Sequence, residues 1–480
     1  MATESTALVA DDELAALREW IGAAEPDLLA DLARLVNVDC GSYDRDGVNE
    51  IATWTAAFLA RIGGEVTRHA DPAGRLGDTV EAVFRGAPGG PRALVIGHTD
   101  TVFPLGTVAQ RPFRLAGGIA TGPGVTDMKA GLLALLYGLE AVRAQGTLPF
   151  ERLTVIANPD EEIGSPVSTP HVRRVAAESD LAFVLECARA NGDIVSSRKG
   201  VVDYVVTITG REAHAGVEPE KGRSAILEAS HQVVGLHALT GRWPGVTCNV
   251  GVIEAGTRSN VVAGQAVLQV DLRATDRAGL EAAIAAIQAL AATATVPDVV
   301  VTAVERHRHW PMEKLARSAR LVEHAQALAG RLGFVVRDAA TGGASDANTT
   351  AGMGVPTLDG LGPIGGLDHS RDEWLDAASI VPRTTLFAAL LLATGRDPEV
   401  VAWRAGAPLT DAVRTTGDRD VARSACPDGP GAGGHDDRHE QPHEKVPSPG
   451  HQRGARKDRD GVEPDVERRA AVRAAGEQHL

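Results

Sequence analysis

Aromatic residues make up only 4% of this 480-residue sequence. With so few large rings, burial must rest on Ala, Val, Leu and Ile packed closely between helices and sheets. Basic residues are outnumbered, 48 Lys and Arg against 63 Asp and Glu, giving a net charge of -15. That balance argues against a nucleic-acid partner, because neutralising phosphates takes a basic surface. It leaves a small anionic substrate open, since such a ligand answers to the local field of a cleft. Cysteine is rare: Cys40, Cys187, Cys248 and Cys426 are scattered without metal-type spacing and read as reduced, buried thiols of a cytoplasmic protein. The first fifteen residues carry acids and no basic or apolar run, so a secretory signal is not expected. No apolar stretch is read as approaching a membrane span.

What is present is ordinary globular composition, 44% hydrophobic and 23% charged. The length is too great for one core, so two domains and a tail are expected. Helices are predicted over residues 11–36, 48–62 and 127–145, and buried strands over 92–96, 153–157 and 181–185. Alternating strands and helices with nearly continuous apolar strands imply a sheet covered on both faces. From residue 200 the order becomes strand 201–209, helix 223–239, strands 246–253 and 266–274, helix 277–292 and strand 299–304. This β-α-β-β-α-β order is the ferredoxin-like unit. The helix–strand pattern of the first part resumes at Glu313. The expected partition is 1–197 and 309–400 for a larger α/β domain, 198–308 for a smaller inserted one, and 401–480 for a tail. No aromatic residue follows Trp403, and Gly, Pro and charged residues dominate there, so disorder is expected. The tail histidines His435, His439, His443 and His451 are read as solvated, because nothing there fixes a coordination geometry.

Five clusters carry chemistry. Gly97-His98-Thr99-Asp100-Thr101-Val102 follows an apolar strand, and ligands in open α/β sheets collect at strand carboxyl ends. His98 and Asp100 lie on one face of extended chain, so His98 can ligate a metal while Asp100 accepts its other ring proton. A satisfied turn histidine is the alternative. Gly122-Pro123-Gly124-Val125-Thr126-Asp127 delivers a carboxylate to the start of a helix, where an N-cap is the alternative. In Pro159-Asp160-Glu161-Glu162 three acids repel one another unless cations offset them, and neighbours can divide ligation from proton transfer. Glu186 ends the apolar run 181–185, where packing explains a charge poorly. His369 sits in the polar loop Gly366-Leu367-Asp368-His369-Ser370. Together they supply two His and at least three carboxylates, a set suited to two divalent ions about 3.5–4 Å apart.

In that order, the five clusters resemble the co-catalytic zinc amidohydrolases related to glutamate carboxypeptidase, acetylornithine deacetylase, succinyl-diaminopimelate desuccinylase and aminoacylase. The likeness spans roughly residues 28–394. It is closest to the glutamate carboxypeptidase branch, through Gly97-His98-Thr99-Asp100-Thr101-Val102-Phe103-Pro104 and Thr341-Gly342-Gly343-Ala344-Ser345-Asp346. The resemblance implies a di-zinc exopeptidase-like fold, a mixed and mostly parallel sheet flanked by helices, with an inserted dimerisation domain. It implies that Asp127 bridges two ions, completed by His98 and Glu186 on one side and Glu162 and His369 on the other. Zn2+ fits the ligand mix, with Co2+ or Mn2+ as alternatives. Asp100 would orient His98, and Glu161 would be the general base. His214, in Arg211-Glu212-Ala213-His214-Ala215-Gly216, would stabilise the oxyanion, often in the partner subunit's site. Asn260 and Arg273 would hold the substrate's carboxylate, and the Asp127–Met128 peptide would be cis. The implied reaction is hydrolysis of an amide or peptide bond beside a free carboxylate in a small peptide or N-acyl amino acid. A carboxypeptidase, a deacylase or dipeptidase, and a non-catalytic metal-binding scaffold are the readings weighed, the enzyme being favoured by Glu161. Two residues depart from the branch. Cys187 follows Glu186 where relatives carry Pro, and Trp310 precedes Pro311 where the glutamate-specific enzyme has an arginine.

Overall fold

The computed structural model describes residues 8–404. The expected tail, its histidines and Cys426 lie outside the described residues. Helices α1 (Asp11–Val36) and α2 (Arg45–Arg61) lead into strands β1 (Glu65–His69), β2 (Thr79–Arg85) and β3 (Arg92–His98). Helix α3 (Ala130–Ala144), β4 (Arg152–Asn158), α4 (Thr169–Ala176) and β5 (Leu181–Val184) follow. The sheet order is β1-β2-β4-β3-β5-β10, with β10 the short strand Thr357–Leu358. Pairings among β4, β3, β5 and β10 are parallel; β2 runs antiparallel to both of its neighbours. Strand β3 shows why its sequence is apolar throughout. Ala93 and Val95 join the core with α1 and α3, while Leu94 and Ile96 pack on the other face with Val172, Ala347 and Ala351.

The second sheet comprises β6 (Gly200–Thr209), β7 (Thr247–Ala255), β8 (Gln265–Ala274) and β9 (Val300–His309), all antiparallel in the order β7-β8-β6-β9. Helices α5 (Ala225–His237) and α6 (Arg277–Ala291) contribute to its separate core, which takes Val202, Tyr204, Val206 and Ile208 from β6. The alternate residues Val201 and Asp203 face the other way, toward the first sheet's loops. The chain then returns through α7 (Ala316–Leu332) and α8 (Asp346–Gly352) to α9 (Ile380–Arg396).

Two expectations are amended. The helix expected from Asp127 begins at Ala130, because Asp127 (φ -113°, ψ 97°) and Met128 (φ -124°, ψ 37°) are non-helical and their peptide bond is cis. One stretch, Ala377–Arg396, is long and apolar enough to cross a membrane by length and composition, yet 83% of its most apolar window is buried inside the fold. It packs as a core helix against α1, α3 and α7.

Candidate active site

The parallel strands converge on one edge. His98 is the last residue of β3, Glu162 follows β4 by four residues and Glu186 follows β5 by two. The segment before α3 brings Asp127 to the same edge, and the loop after residue 366 brings His369 with φ +62°. Asp127 divides its carboxylate: Oδ1 is 3.2 Å from His98 Nε2, and Oδ2 is 3.2 Å from His369 Nε2. His369 Nε2 also lies 3.0 Å from Glu162 Oε2, and His98 Nε2 lies 3.7 Å from Glu186 Oε1. Asp127 therefore does not serve as an N-cap; no side chain caps α3.

Around this cluster the neighbouring carboxylates take separate places. His98 Nδ1 faces the Asp100 carbonyl at 3.1 Å and its Oδ1 at 3.3 Å, which fixes the ring and leaves Nε2 for the cluster. Asp100 also accepts the backbone N–H groups of Glu161 and Glu162 and the Ser42 hydroxyl at 2.6 Å. Of the three consecutive acids, Asp160 turns inward to accept the N–H groups of Val167 and Ser168, and burial pushes it up to about 6. Glu161 and Glu162 instead border a cavity of about 140 Å³ with Asp127, Glu186 and His369.

The electrostatics describe a cation site. Burial and the charge of Glu186 push Glu161 well above the carboxylate range, and burial with the charge of Asp127 does the same to Glu186. Hydrogen bonds to Asp127 and Glu162 hold His369 up at about 11. Glu162 Oε1 is buried without a hydrogen-bond partner. Ligand atoms of His98, Glu161 and Glu186, and of His98, Asp127 and Glu162, lie within 4.8 Å of one another. Converging buried carboxylates of this kind repel until a divalent ion offsets them, and the two imidazole nitrogens complete a borderline N/O donor set.

Not every residue expected in the site is brought to it. His214 is exposed on the short ladder Ala213–His214 with Val261–Val262, Asn260 is exposed in the turn just before that second strand, and neither lines any of the three cavities that the metal-ligand candidates border. Arg273 does border a cavity of about 310 Å³ with Glu161, Glu162 and His369. Its guanidinium is already engaged by the Asp271 carboxylate at 2.9–3.1 Å and the Gly342 carbonyl at 2.7 Å. Cys187 is buried, and the neighbouring backbone is fixed by Gly362 N–H donating to the Glu186 carbonyl at 2.9 Å.

Three contributors went unread in the sequence. Glu373 is fully buried and accepts the N–H groups of Gly124, Thr126 and Asp127 at 2.9, 2.8 and 3.1 Å. His307 and His309 line the larger cavity, where a Cβ on Gly164 would come within 3.4 Å of His309 Nε2 and 3.6 Å of His307 Nδ1. Their spacing in a strand carried a signal, because residues i and i+2 share a face. Glu373 carried none, since its partners are backbone groups almost 250 residues earlier.

Residues 94–393 match the family of peptidases M20/M25/M40. Carboxypeptidase G2 of Pseudomonas sp. (strain RS-16) is 30% identical over 402 residues, covering 82% of this chain and 96% of that one. Succinyl-diaminopimelate desuccinylase of Stenotrophomonas maltophilia is 27% identical, covering 62% and 83%. Among solved structures, aminopeptidase PepT of Bacillus cereus shares the fold with a TM-score of 0.64 at 23% identity, covering 77% of this chain and 98% of that one. The dipeptidase Dug1p of Saccharomyces cerevisiae does so with a TM-score of 0.61 at 16% identity, covering 81% and 100%. The chain belongs to the peptidase family M20/M25/M40, metal-dependent hydrolases of peptide and amide bonds.

Proposed function

We propose that the chain cleaves the amide bond joining an acyl or peptidyl group to an amino acid with a free carboxylate. The observation that carries this reading is Glu161 beside a complete set of metal-ligand candidates, since a binding protein has no use for a further carboxylate bordering that cavity. Two divalent ions, Zn2+ by donor type and Co2+ or Mn2+ as alternatives, would be held by His98, Asp127, Glu162, Glu186 and His369, and would supply Lewis-acid polarisation of the carbonyl and a lowered pKa for the attacking water. Glu161 takes the proton of that water and hands it to the leaving amine. Asp100 keeps the His98 ring oriented through Nδ1. Arg273 and Asn260 hold the substrate's carboxylate.

His214 and Asn260 act on a partner's site in this reading, with 198–308 as an inserted dimerisation domain. Their exposure on and beside one short ladder, outside the cavities that their own chain's metal-ligand candidates border, supports a homodimer. Trp310 stands before Pro311, which speaks against strict specificity for C-terminal glutamate; the action is carboxypeptidase-like, with an N-acyl-amino-acid deacylase or dipeptidase as the alternative. The buried, unpaired Cys40, Cys187 and Cys248 support a reducing, cytoplasmic setting. Metal analysis of the purified protein, with hydrolysis assays across N-acyl amino acids and dipeptides, tests the function. Protein that binds no metal and cleaves none of them would instead be a scaffold.

A further inference from the structure

A cleft of about 540 Å³ opens beside the metal cluster, and Glu162 borders both it and the cavity of Glu161 and His369. Two loops form its walls. Residues 41–44 join α1 to α2, and residues 101–105 follow His98 and Asp100. They are tied together by Thr101 N–H donating to the Cys40 carbonyl at 2.9 Å and Ser42 N–H donating to the Thr101 carbonyl at 3.2 Å. The Ser42 hydroxyl on Asp100 anchors this wall to the His98 partner itself.

The wall is apolar where the chain as a whole is poor in large side chains. Tyr43 is 78% exposed, Leu105 76% and Val102 39%, and Phe103 and Ile163 complete the lining. Several large apolar groups open to water at the mouth of a site mark a surface that gains on being covered. No Lys, Arg or His lines this cleft, and Asp44 and Glu162 add negative charge. The basic and imidazole groups, Arg273, His307 and His309, lie instead in the cavity on the other side of Glu162. A substrate spanning Glu161 therefore has one end facing cationic and imidazole side chains and one facing a lining that contains none. Its carboxylate, on the leaving-amine side, belongs with the first.

We infer that the cleft of Tyr43, Val102, Phe103, Leu105 and Ile163 is the acyl-side subsite, built for a bulky apolar acyl group of the aryl or medium-chain alkyl kind. An acetyl group leaves it unfilled, and a succinyl group brings a second carboxylate to a wall that carries Asp44 and Glu162 and whose neighbouring cation, Arg111 on the Phe103 ring at 4.7 Å, is already engaged by the Ser370 and Arg371 carbonyls. This inference rests on the proposed amidohydrolase reading.

The test compares N-acetyl, N-succinyl, N-octanoyl and N-benzoyl derivatives of one amino acid on the zinc-loaded protein. The octanoyl and benzoyl compounds should exceed the acetyl compound about 10- to 100-fold in kcat/KM, with the succinyl compound lowest. Leu105→Asp and Tyr43→Ala alter exposed side chains, so the fold tolerates them. Each should lower kcat/KM for the two bulky compounds about 10-fold more than for the N-acetyl compound. Equal losses on every compound, or wild-type preference for acetyl or succinyl, would overturn the subsite. Calorimetric binding of N-benzoyl and N-acetyl amino acid to the Glu161→Ala variant separates the two readings. A benzoyl preference abolished by Leu105→Asp upholds the subsite even without turnover, and equal affinities overturn it. Failure of the wild type to cleave any N-acyl amino acid or dipeptide sinks the functional reading alone.

Discussion

Glu373 accepts the backbone N–H of Asp127 at 3.1 Å, and the same side chain gathers the N–H groups of Gly124 and Thr126. Glu373 also lies four residues after His369, so one loop supplies a candidate metal ligand and fixes the backbone of another. Glycine at 124 (φ +70°) lets that backbone approach; a Cβ there would come within 2.5 Å of the Thr101 methyl. Replacing Glu373 by Gln loses at least one of three hydrogen bonds and sets an N–H2 donor against N–H groups. Glu373→Gln should weaken zinc binding about 10- to 100-fold by competition with a chromophoric chelator. Wild-type affinity would show that Asp127 is held without it.

Glu161→Ala removes the proposed base and none of the five proposed ligands. It should keep its metal content and lose about 100- to 10,000-fold in kcat. Metal content by elemental analysis beside steady-state kinetics makes the comparison. A variant that keeps metal and full activity would end the base assignment.

If His214 completes a partner's site, two inactive proteins can repair each other. Glu161→Ala and His214→Ala subunits, mixed and allowed to exchange, form hybrids in which one of the two sites is intact. Random exchange should restore about a quarter of wild-type activity, as closed two-fold assembly requires. No recovery in demonstrably exchanged dimers would return His214 to its own chain's site or to no site.

Burial first, then the neighbouring His307 and Arg173, pull the His309 imidazole from 6.5 down to about 4. Between those values the unfolded chain binds the proton and the folded protein does not. This contribution to stability is therefore complete above pH 6.5 and is lost as pH falls through about 4. His309→Gln should flatten that part of the stability curve by on the order of 1–3 kcal/mol, read from urea midpoints at successive pH values. An unchanged slope would place the acid sensitivity elsewhere.

Arg383 is 1% exposed and donates to the carbonyls of Gly192, Gly360 and Gly362 at 3.0, 2.6 and 3.0 Å. Burial pushes its guanidinium down to about 10. Arg383→Met would leave three buried carbonyls without that donor and should cost about 2–4 kcal/mol in the urea midpoint. Because Gly362 N–H also holds the Glu186 carbonyl, zinc affinity should fall with stability.

The sequence by itself determined the parallel sheet and the edge at which chemistry collects. Continuous apolar strands read at 92–96, 153–157 and 181–185 can be buried only between two helical layers, and the residues just beyond them include His98, Glu162 and Glu186. The alternation of β6 and the order of elements after it also fixed the second sheet, because period two is a local property. What only the tertiary structure decided depends on groups distant in sequence. Asp127 read equally well as an N-cap; in the fold Glu373 accepts its backbone N–H and its two oxygens face His98 and His369. The pairing of Arg273 with Asp271, two residues earlier on the same strand face, was local, but nothing near Arg273 signalled the Gly342 carbonyl, 69 residues later, that also engages it. The apolar wall of Tyr43 and Leu105 existed only once two loops sixty residues apart were bonded edge to edge, since a cleft is a relation between surfaces.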